Sequence, residues 1–116
     1  MSIAELKLVG AYGSPYSRKV RAVLRFRHIP FQWLLREHDL ADLPPVPVAL
    51  IPILVLPGAK GAAPSAMVDS TFQIRRLEQM HAGRSVIPSD PALAFLDELI
   101  EDYADEWLTK CMFHFR

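Results

Sequence analysis

The first 36 residues follow a strand–helix–strand pattern, and this pattern constrains the fold more than any other feature of the chain. Residues 6–9 are mainly apolar, and Gly10, Gly13 and Pro15 end that run. Apolar side chains then recur every three or four positions over residues 16–27, which predicts an amphipathic helix, and residues 31–35 are mainly apolar again. A strand that returns through one helix is expected to lie parallel to the first, with a right-handed crossover. The sequence therefore predicts an α/β sheet.

Two more strands are predicted after a proline-rich connection. Three prolines within four positions deny helical backbone geometry to residues 37–50, so we expect an irregular segment there. Residues 51–56 are apolar and rich in β-branched side chains, which indicates a third strand. Residues 66–68 follow a Pro-Gly turn and are expected to pair with the third strand as a hairpin.

A second helix is predicted to begin near residue 70. Ser70 and Gln73 have the spacing of a capping box, and either Asp69 or Ser70 is the expected cap. Gly83 is the expected end of this helix. Its apolar stripe consists of Ile74, Leu77 and Met80.

A long third helix is predicted from Asp90 and Pro91 to the last residue, because Asp is a good cap and Pro suits the first helical position. No Gly, Asn or Pro stops it, which indicates a helix cut midway. We divide the chain into residues 1–84 and 85–116. The apolar stripe of this helix comprises Leu93, Leu96, Ile100, Tyr103, Trp107 and Cys111. We expect the stripe to be incompletely buried within one chain, which predicts a homodimer or a longer polypeptide. Cys111 is expected to be a core cysteine.

The composition excludes several classes of protein. Thirteen Lys and Arg balance thirteen Asp and Glu, so no net charge attracts nucleic acid or an anionic membrane. The basic side chains of the first helix are expected to form a solvated surface; they are Arg18, Lys19, Arg21, Arg25 and Arg27. A single cysteine excludes an internal disulfide and a multi-cysteine metal site. With no long apolar run, a cytoplasmic location is expected.

The turn before the first helix carries the clearest chemical signal. Ser14 lies where unpaired backbone N–H groups and the positive end of the helix dipole converge, a place that stabilises an anion. If Ser14 and Ser17 were both cysteine, the turn would be a redox motif, so a thiol must here arrive with a ligand. Ser14 could also serve only as a helix cap.

Three segments in this order resemble the glutathione transferase family. Residues 12–21 are similar to the serine-type active-site turn of the zeta, theta and delta classes, residues 51–55 to the segment with a cis proline, and residues 68–74 to the acidic-Ser-x-x-Ile turn. The resemblance covers about residues 6–82. It implies a thioredoxin-like four-stranded mixed sheet with flanking helices, followed by one long helix of a truncated all-α domain.

The resemblance also implies roles for the site residues. In the family, a hydroxyl at the position of Ser14 donates to the glutathione sulfur, and a charge-assisted hydrogen bond of about 1.5–3 kcal/mol lowers a thiol pKa by about 1–2. A cis peptide bond before Pro52 is expected to turn the backbone of Ile51 toward the cysteinyl backbone of glutathione. Asp69 and Ser70 are the expected partners of the γ-glutamyl end. Tyr12 and Ser17 are alternative hydroxyls, of which Tyr12 is more readily explained as a core residue.

The activity implied is that of an enzyme that adds the glutathione thiolate to a small hydrophobic electrophile. Glutathione is a co-substrate, and no cofactor or metal is expected. Two alternatives remain: a non-catalytic binding or regulatory module, and a glutathione-dependent isomerase of zeta type. The chain alone is expected to be incomplete and weakly active or inactive. The contact with the glycyl end is left open, with His38 and Arg36 as the nearby side chains.

Overall fold

The computed structural model describes residues 6–37 and 42–115, which fall into two compact units. The first unit ends at Arg84 and the second begins at Ser85, where the sequence indicates a change of domain. His38 lies outside the described residues. The first unit contains β1 (Leu6–Gly10), α1 (Pro15–Phe26), β2 (Phe31–Leu35), β3 (Ile53–Leu56), β4 (Ser65–Met67) and α2 (Ser70–Met80).

The four strands form one mixed sheet in the order β2-β1-β3-β4. β1 and β2 are parallel, with Leu8 opposite Trp33, whereas β3 is antiparallel to both β1 and β4. The predicted mixed sheet is therefore confirmed. β3 begins two residues later than predicted, at Ile53, because Pro52 has no N–H to donate to a neighbouring strand.

The core of the first unit is apolar and continuous from the sheet to the helices. Leu8 and Val9 are successive residues of β1 and both are fully buried, so both faces of this central strand are shielded from solvent. α1 contacts α2 and β1. The remaining buried apolar side chains are Leu6, Val20, Leu24, Ile29, Leu54, Val55, Leu56, Ile74 and Leu77.

One basic side chain of α1's predicted solvated surface is instead buried. Arg27 is 2% exposed, and its Nη1 lies 3.4 Å from Oε1 of Glu78. Its Nη2 donates to the backbone oxygens of His81 and, at 3.1 Å, Gly83. The prediction fails at Arg27 because this residue lies three positions after buried Leu24, on the apolar side of the helix.

The start of α2 differs from the predicted capping box. Asp69 is the cap, and its carboxylate accepts from the N–H of Thr71 at 3.0 Å. Gln73 is fully buried and bonds elsewhere, so the predicted reciprocal bond with Ser70 is wrong. α2 ends at Met80, before Gly83, and the stripe residue Met80 is exposed.

The second unit is helical from Pro91 to Phe115. It consists of α3 (Pro91–Tyr103), a π-helical turn (Ala104–Leu108) and α4 (Thr109–Phe115), and Asp90 caps α3 as predicted. None of these three segments has a buried residue. Cys111 is exposed, so its prediction as a core cysteine is wrong. Among the described residues, no helix is long and apolar enough to cross a membrane.

Candidate functional site

Three predicted segments meet at one end of the sheet. Ser14 follows the carboxyl end of β1, and Ile51 precedes the amino end of β3. β1 and β3 are antiparallel, with Val9 opposite Ile53, so these two ends are adjacent. β4 leaves the sheet at the same end, where Met67 lies opposite Leu54, and leads into α2. Strand register therefore brings Ser14, Ile51 and the start of α2 to the same end of the sheet.

Ser14 caps α1 with its side chain. Its Oγ accepts from the N–H of Ser17 at 3.2 Å, and its own N–H donates to the oxygen of Ala11 at 3.1 Å. A hydroxyl that accepts one hydrogen bond still has its proton to donate. Ser14 is half-buried at the positive end of the helix dipole, which suits it to donate toward an anion.

Ser17, one of the alternative hydroxyls, faces the interior. It is fully buried, and its Oγ accepts from the N–H of Ala11 at 3.4 Å. A Cβ atom added at Gly10 would lie 2.5 Å from this Oγ and 2.8 Å from Cη2 of Trp33. Glycine at position 10 therefore allows α1 to lie close against β1, and the Ser17 hydroxyl is directed into that contact.

Tyr12, the other alternative hydroxyl, is not a core residue as predicted. It is 59% exposed, because β1 ends at Gly10 and the strand alternation no longer applies at position 12. The centroid of its ring lies 5.7 Å from that of Trp33. The guanidinium carbon of Arg21 lies 5.4 Å from the Tyr12 ring and 5.0 Å from the Trp33 ring, a cation–π arrangement.

Ile51 and Pro52 lie immediately before β3. The peptide bond between them is cis, at the position that the resemblance implies. Pro52 is buried and Ile51 half-buried. The carbonyl oxygen of Pro52 accepts from Nε2 of Gln73 at 2.7 Å, and the same Nε2 donates to the oxygen of Met67 at 2.9 Å.

The start of α2 combines unusual backbone geometry with a nearby cation. Asp69 has φ 79° and ψ 109°, a conformation that costs a non-glycine residue about 1–3 kcal/mol. Ser70 is buried, and Nζ of Lys19 lies 3.2 Å from its Oγ. The sequence pattern predicts only a solvated surface for Lys19. Its partner Ser70 is 51 residues away in the sequence, so no spacing within α1 identifies this contact.

Two further points about the site concern the contact with the glycyl end of glutathione and the acidic-Ser-x-x-Ile turn. Arg36 is exposed, and its N–H donates to the oxygen of Gly10 at 3.0 Å, so the contact with the glycyl end of glutathione stays unassigned. Ile74 follows Ser70 by four positions, whereas the acidic-Ser-x-x-Ile turn has its Ile at the third. Gln73 occupies that third position. Among residues 6–37 and 42–115, no group of three or more His, Cys, Asp or Glu could hold a metal ion.

Known proteins of similar sequence are glutathione S-transferases. Glutathione S-transferase U6 of Arabidopsis thaliana is 24% identical over 115 residues, which cover 94% of this chain and 48% of the relative. A probable glutathione S-transferase of Nicotiana tabacum is 26% identical over 121 residues, covering 93% and 51%. The chain thus spans about half the length of these curated relatives.

Two solved structures have the same fold over most of the chain. A glutathione S-transferase of Methylobacterium radiotolerans, in complex with glutathione sulfonate, has a TM-score of 0.64 at 28% identity, over 79% of this chain and 42% of that one. A Tau class glutathione S-transferase of mango, Mangifera indica, has a TM-score of 0.69 at 23% identity, over 91% and 48%. At that identity the mango structure shows the thioredoxin-like fold and assigns no class.

A family model described as the N-terminal domain of glutathione S-transferase matches residues 8–85. This range contains β2, β3, β4 and the last three residues of β1, together with Ser14, the cis bond before Pro52 and the start of α2. Since the match covers more than half of the sequence, the chain belongs to the glutathione S-transferase family and contains its N-terminal domain.

Proposed function

We propose that this chain binds glutathione and activates its thiolate for attack on a small hydrophobic electrophile. The observation that carries the proposal is the meeting of three segments at one end of the sheet, with a capping hydroxyl at the helix start. In the reaction, the thiolate sulfur forms a bond to an electrophilic carbon, and a leaving group such as halide departs with the electron pair of its bond.

Ser14 is the proposed donor to the sulfur. Its Oγ already accepts from the N–H of Ser17, so its proton is free to point outward toward a thiolate. The positive end of the α1 helix dipole adds a positive potential at the same place. Ser17 and Tyr12 fit this role less well, because Ser17 is fully buried and Tyr12 packs beside Trp33 under Arg21.

Residues at the start of α2 can pair with both charged ends of the γ-glutamyl group. The hydroxyl and the backbone N–H of Ser70 can donate to its carboxylate, and the Lys19 ammonium adds a positive charge beside Ser70. The Asp69 carboxylate can receive its ammonium. Ile51 offers backbone groups for the cysteinyl part, as in strand addition.

Support from relatives is at the level of the family. The Methylobacterium radiotolerans protein binds glutathione sulfonate, and this chain shares 28% of its residues over the aligned part. The electrophile, a homodimeric state and a cytoplasmic location are proposals that rest on the family resemblance.

The test compares binding with turnover in the natural protein. We expect calorimetric titration to detect glutathione binding, and a halonitrobenzene to be conjugated with consumption of thiol. Ser14→Ala should lower kcat/KM about 10- to 100-fold, which corresponds to the loss of one charge-assisted hydrogen bond. Binding of S-methylglutathione should change little, because a thioether sulfur is a weak acceptor. Ser65→Ala, which changes an exposed serine of β4, is the matched control.

Each alternative function gives a different result in this test. Glutathione binding without conjugation would favour the binding-module alternative. Isomerisation of a substrate with no net loss of thiol would favour the zeta-type alternative. Absence of glutathione binding by the natural protein would refute the proposal.

A further inference from the structure

Gln73 is a buried amide at the position where the family signature has an apolar residue. It is 0% exposed. Its Nε2 donates to the oxygen of Pro52 at 2.7 Å and to that of Met67 at 2.9 Å, so both N–H groups are used. The opposite amide orientation would place Oε1 against two carbonyl oxygens, which repel it. The contacts therefore fix Nε2 as the atom that faces the two carbonyls.

These two carbonyls belong to the two backbone segments that flank the proposed glutathione site. Pro52 directly follows Ile51, and Met67 is the last residue of β4, two positions before Asp69. Gln73 itself lies in α2, one turn after Ser70. A single side chain thus connects the segment before β3, the end of β4 and the first turn of α2.

The Gln73 side chain and its bond to Pro52 are buried, so water cannot readily replace that bond. Oε1 of Gln73 is buried and has no hydrogen-bond partner among the described residues. Because its acceptor is unpaired in the interior, the amide of Gln73 stabilises the structure through its two donated hydrogen bonds. An apolar residue at position 73 would leave the Pro52 and Met67 carbonyls without these donors.

We propose that Gln73 is a positioning residue for glutathione, an inference that rests on the proposed function. By holding Pro52 and Met67 to α2, it fixes the distance between the backbone of Ile51 and the Asp69–Ser70 turn. Both of these must contact one extended tripeptide at the same time. Gln73 does not touch the ligand or the sulfur, so it contributes to affinity and leaves the chemical step unchanged.

The test is the kinetic behaviour of Gln73→Met in the natural protein. Methionine keeps the length and approximate volume of the side chain and removes both donors. We expect KM for glutathione and the dissociation constant of S-methylglutathione to rise together by about tenfold. The value of kcat at saturating glutathione should stay within about twofold. Gln79→Met, an exposed glutamine of the same helix, should change neither constant.

The separate effects on KM and kcat distinguish a positioning role from a loss of fold stability. A variant that only destabilises the fold reduces the fraction of active protein, which lowers the apparent kcat and leaves KM unchanged. If Gln73→Met does not fold, Gln73→Ile replaces it, because Ile is the residue of the family signature at this position. Wild-type KM in a folded variant of either kind would overturn the inference.

Failure of the proposed function gives a different result. If the wild-type protein binds neither glutathione nor S-methylglutathione, the proposed function is wrong and the inference falls with it. If the wild type binds both and the folded variants bind equally well, only the role of Gln73 is wrong.

Discussion

The two units of this chain have similar apolar periodicity but very different burial. Among the residues that the structure describes, all eleven apolar side chains of the buried core lie in the first unit, between Leu6 and Leu77. The second unit is helical over its whole described length after Asp90, yet its helical segments bury no residue. Periodicity therefore predicts a helix in both units, and the prediction that the stripe of the second unit is incompletely buried within one chain is confirmed.

The largest expected difference between the two units is in the free energy of unfolding lost when one apolar side chain of each is truncated. Leu8→Ala removes a fully buried side chain of β1 and should cost about 3 kcal/mol in the free energy of unfolding. In a monomer of this chain, Leu99→Ala changes a residue that is 53% exposed and should cost no more than about 0.5 kcal/mol. Urea unfolding measures both. An equal loss at Leu99 would show that the second unit is covered in solution, as expected for a homodimer or a longer chain.

A second comparison tests the buried arginine of α1. Arg27→Met leaves Glu78 and the oxygens of His81 and Gly83 without their cation, and we expect a loss of about 3 kcal/mol. Arg25→Met, on the exposed side of the same helix, should stay within about 0.5 kcal/mol of wild type. Thermal unfolding compares the two. Equal stability of both variants would mean that Arg27 is solvated, as the helix pattern in the sequence predicts.

The helix caps distinguish function from stability. Ser14 and Asp90 each accept a backbone N–H at a helix start, one in each unit. Replacing either by Ala should cost about 1 kcal/mol of stability. Only Ser14→Ala should also lower conjugation. Equal loss of conjugation in the two variants would indicate that Ser14 acts as a cap and nothing more.

The smallest expected effect concerns two lysines. Lys19→Met removes the ammonium beside Ser70 and should weaken glutathione binding about threefold, with a smaller effect at high salt. Lys110→Met removes the cation over the Trp107 ring in the second unit and should leave binding unchanged. Calorimetry at two salt concentrations measures both. A larger effect at Lys110 would place part of the glutathione contact in the second unit.

Local patterns in the sequence were sufficient for the order of the elements and for an α/β sheet, whereas the thioredoxin-like fold was implied by the family resemblance. The strand–helix–strand start, the hairpin and the cap at Asp90 depend on residues close together in the chain, and the structure contains all three. The meeting of Ser14, Ile51 and Asp69 at one end of the sheet depends on the antiparallel pairing of β1 with β3, which no local pattern reveals.

The remaining features depend on groups that are distant in sequence. Gln73 bonds inward because the oxygen of Pro52 is in reach, and no spacing within α2 reveals this. Arg27 is buried because Glu78 and the end of α2 supply acceptors. Tyr12 and Cys111 were assigned to a core from periodicity alone, and each lies where its unit offers no cover. Nothing in the apolar period marks the π-helical turn from Ala104 to Leu108.

The sequence contains two tryptophans, and the fold places one in each unit. Trp33 is half-buried beside Tyr12, near the turn that carries Ser14, whereas Trp107 is 62% exposed with a lysine over its ring. The protein therefore carries two built-in optical reporters in different surroundings. A water-soluble quencher such as iodide should reach Trp107 much more readily than Trp33. In a Trp107→Phe background, the remaining fluorescence would report directly on the arrival of a ligand near the Ser14 turn.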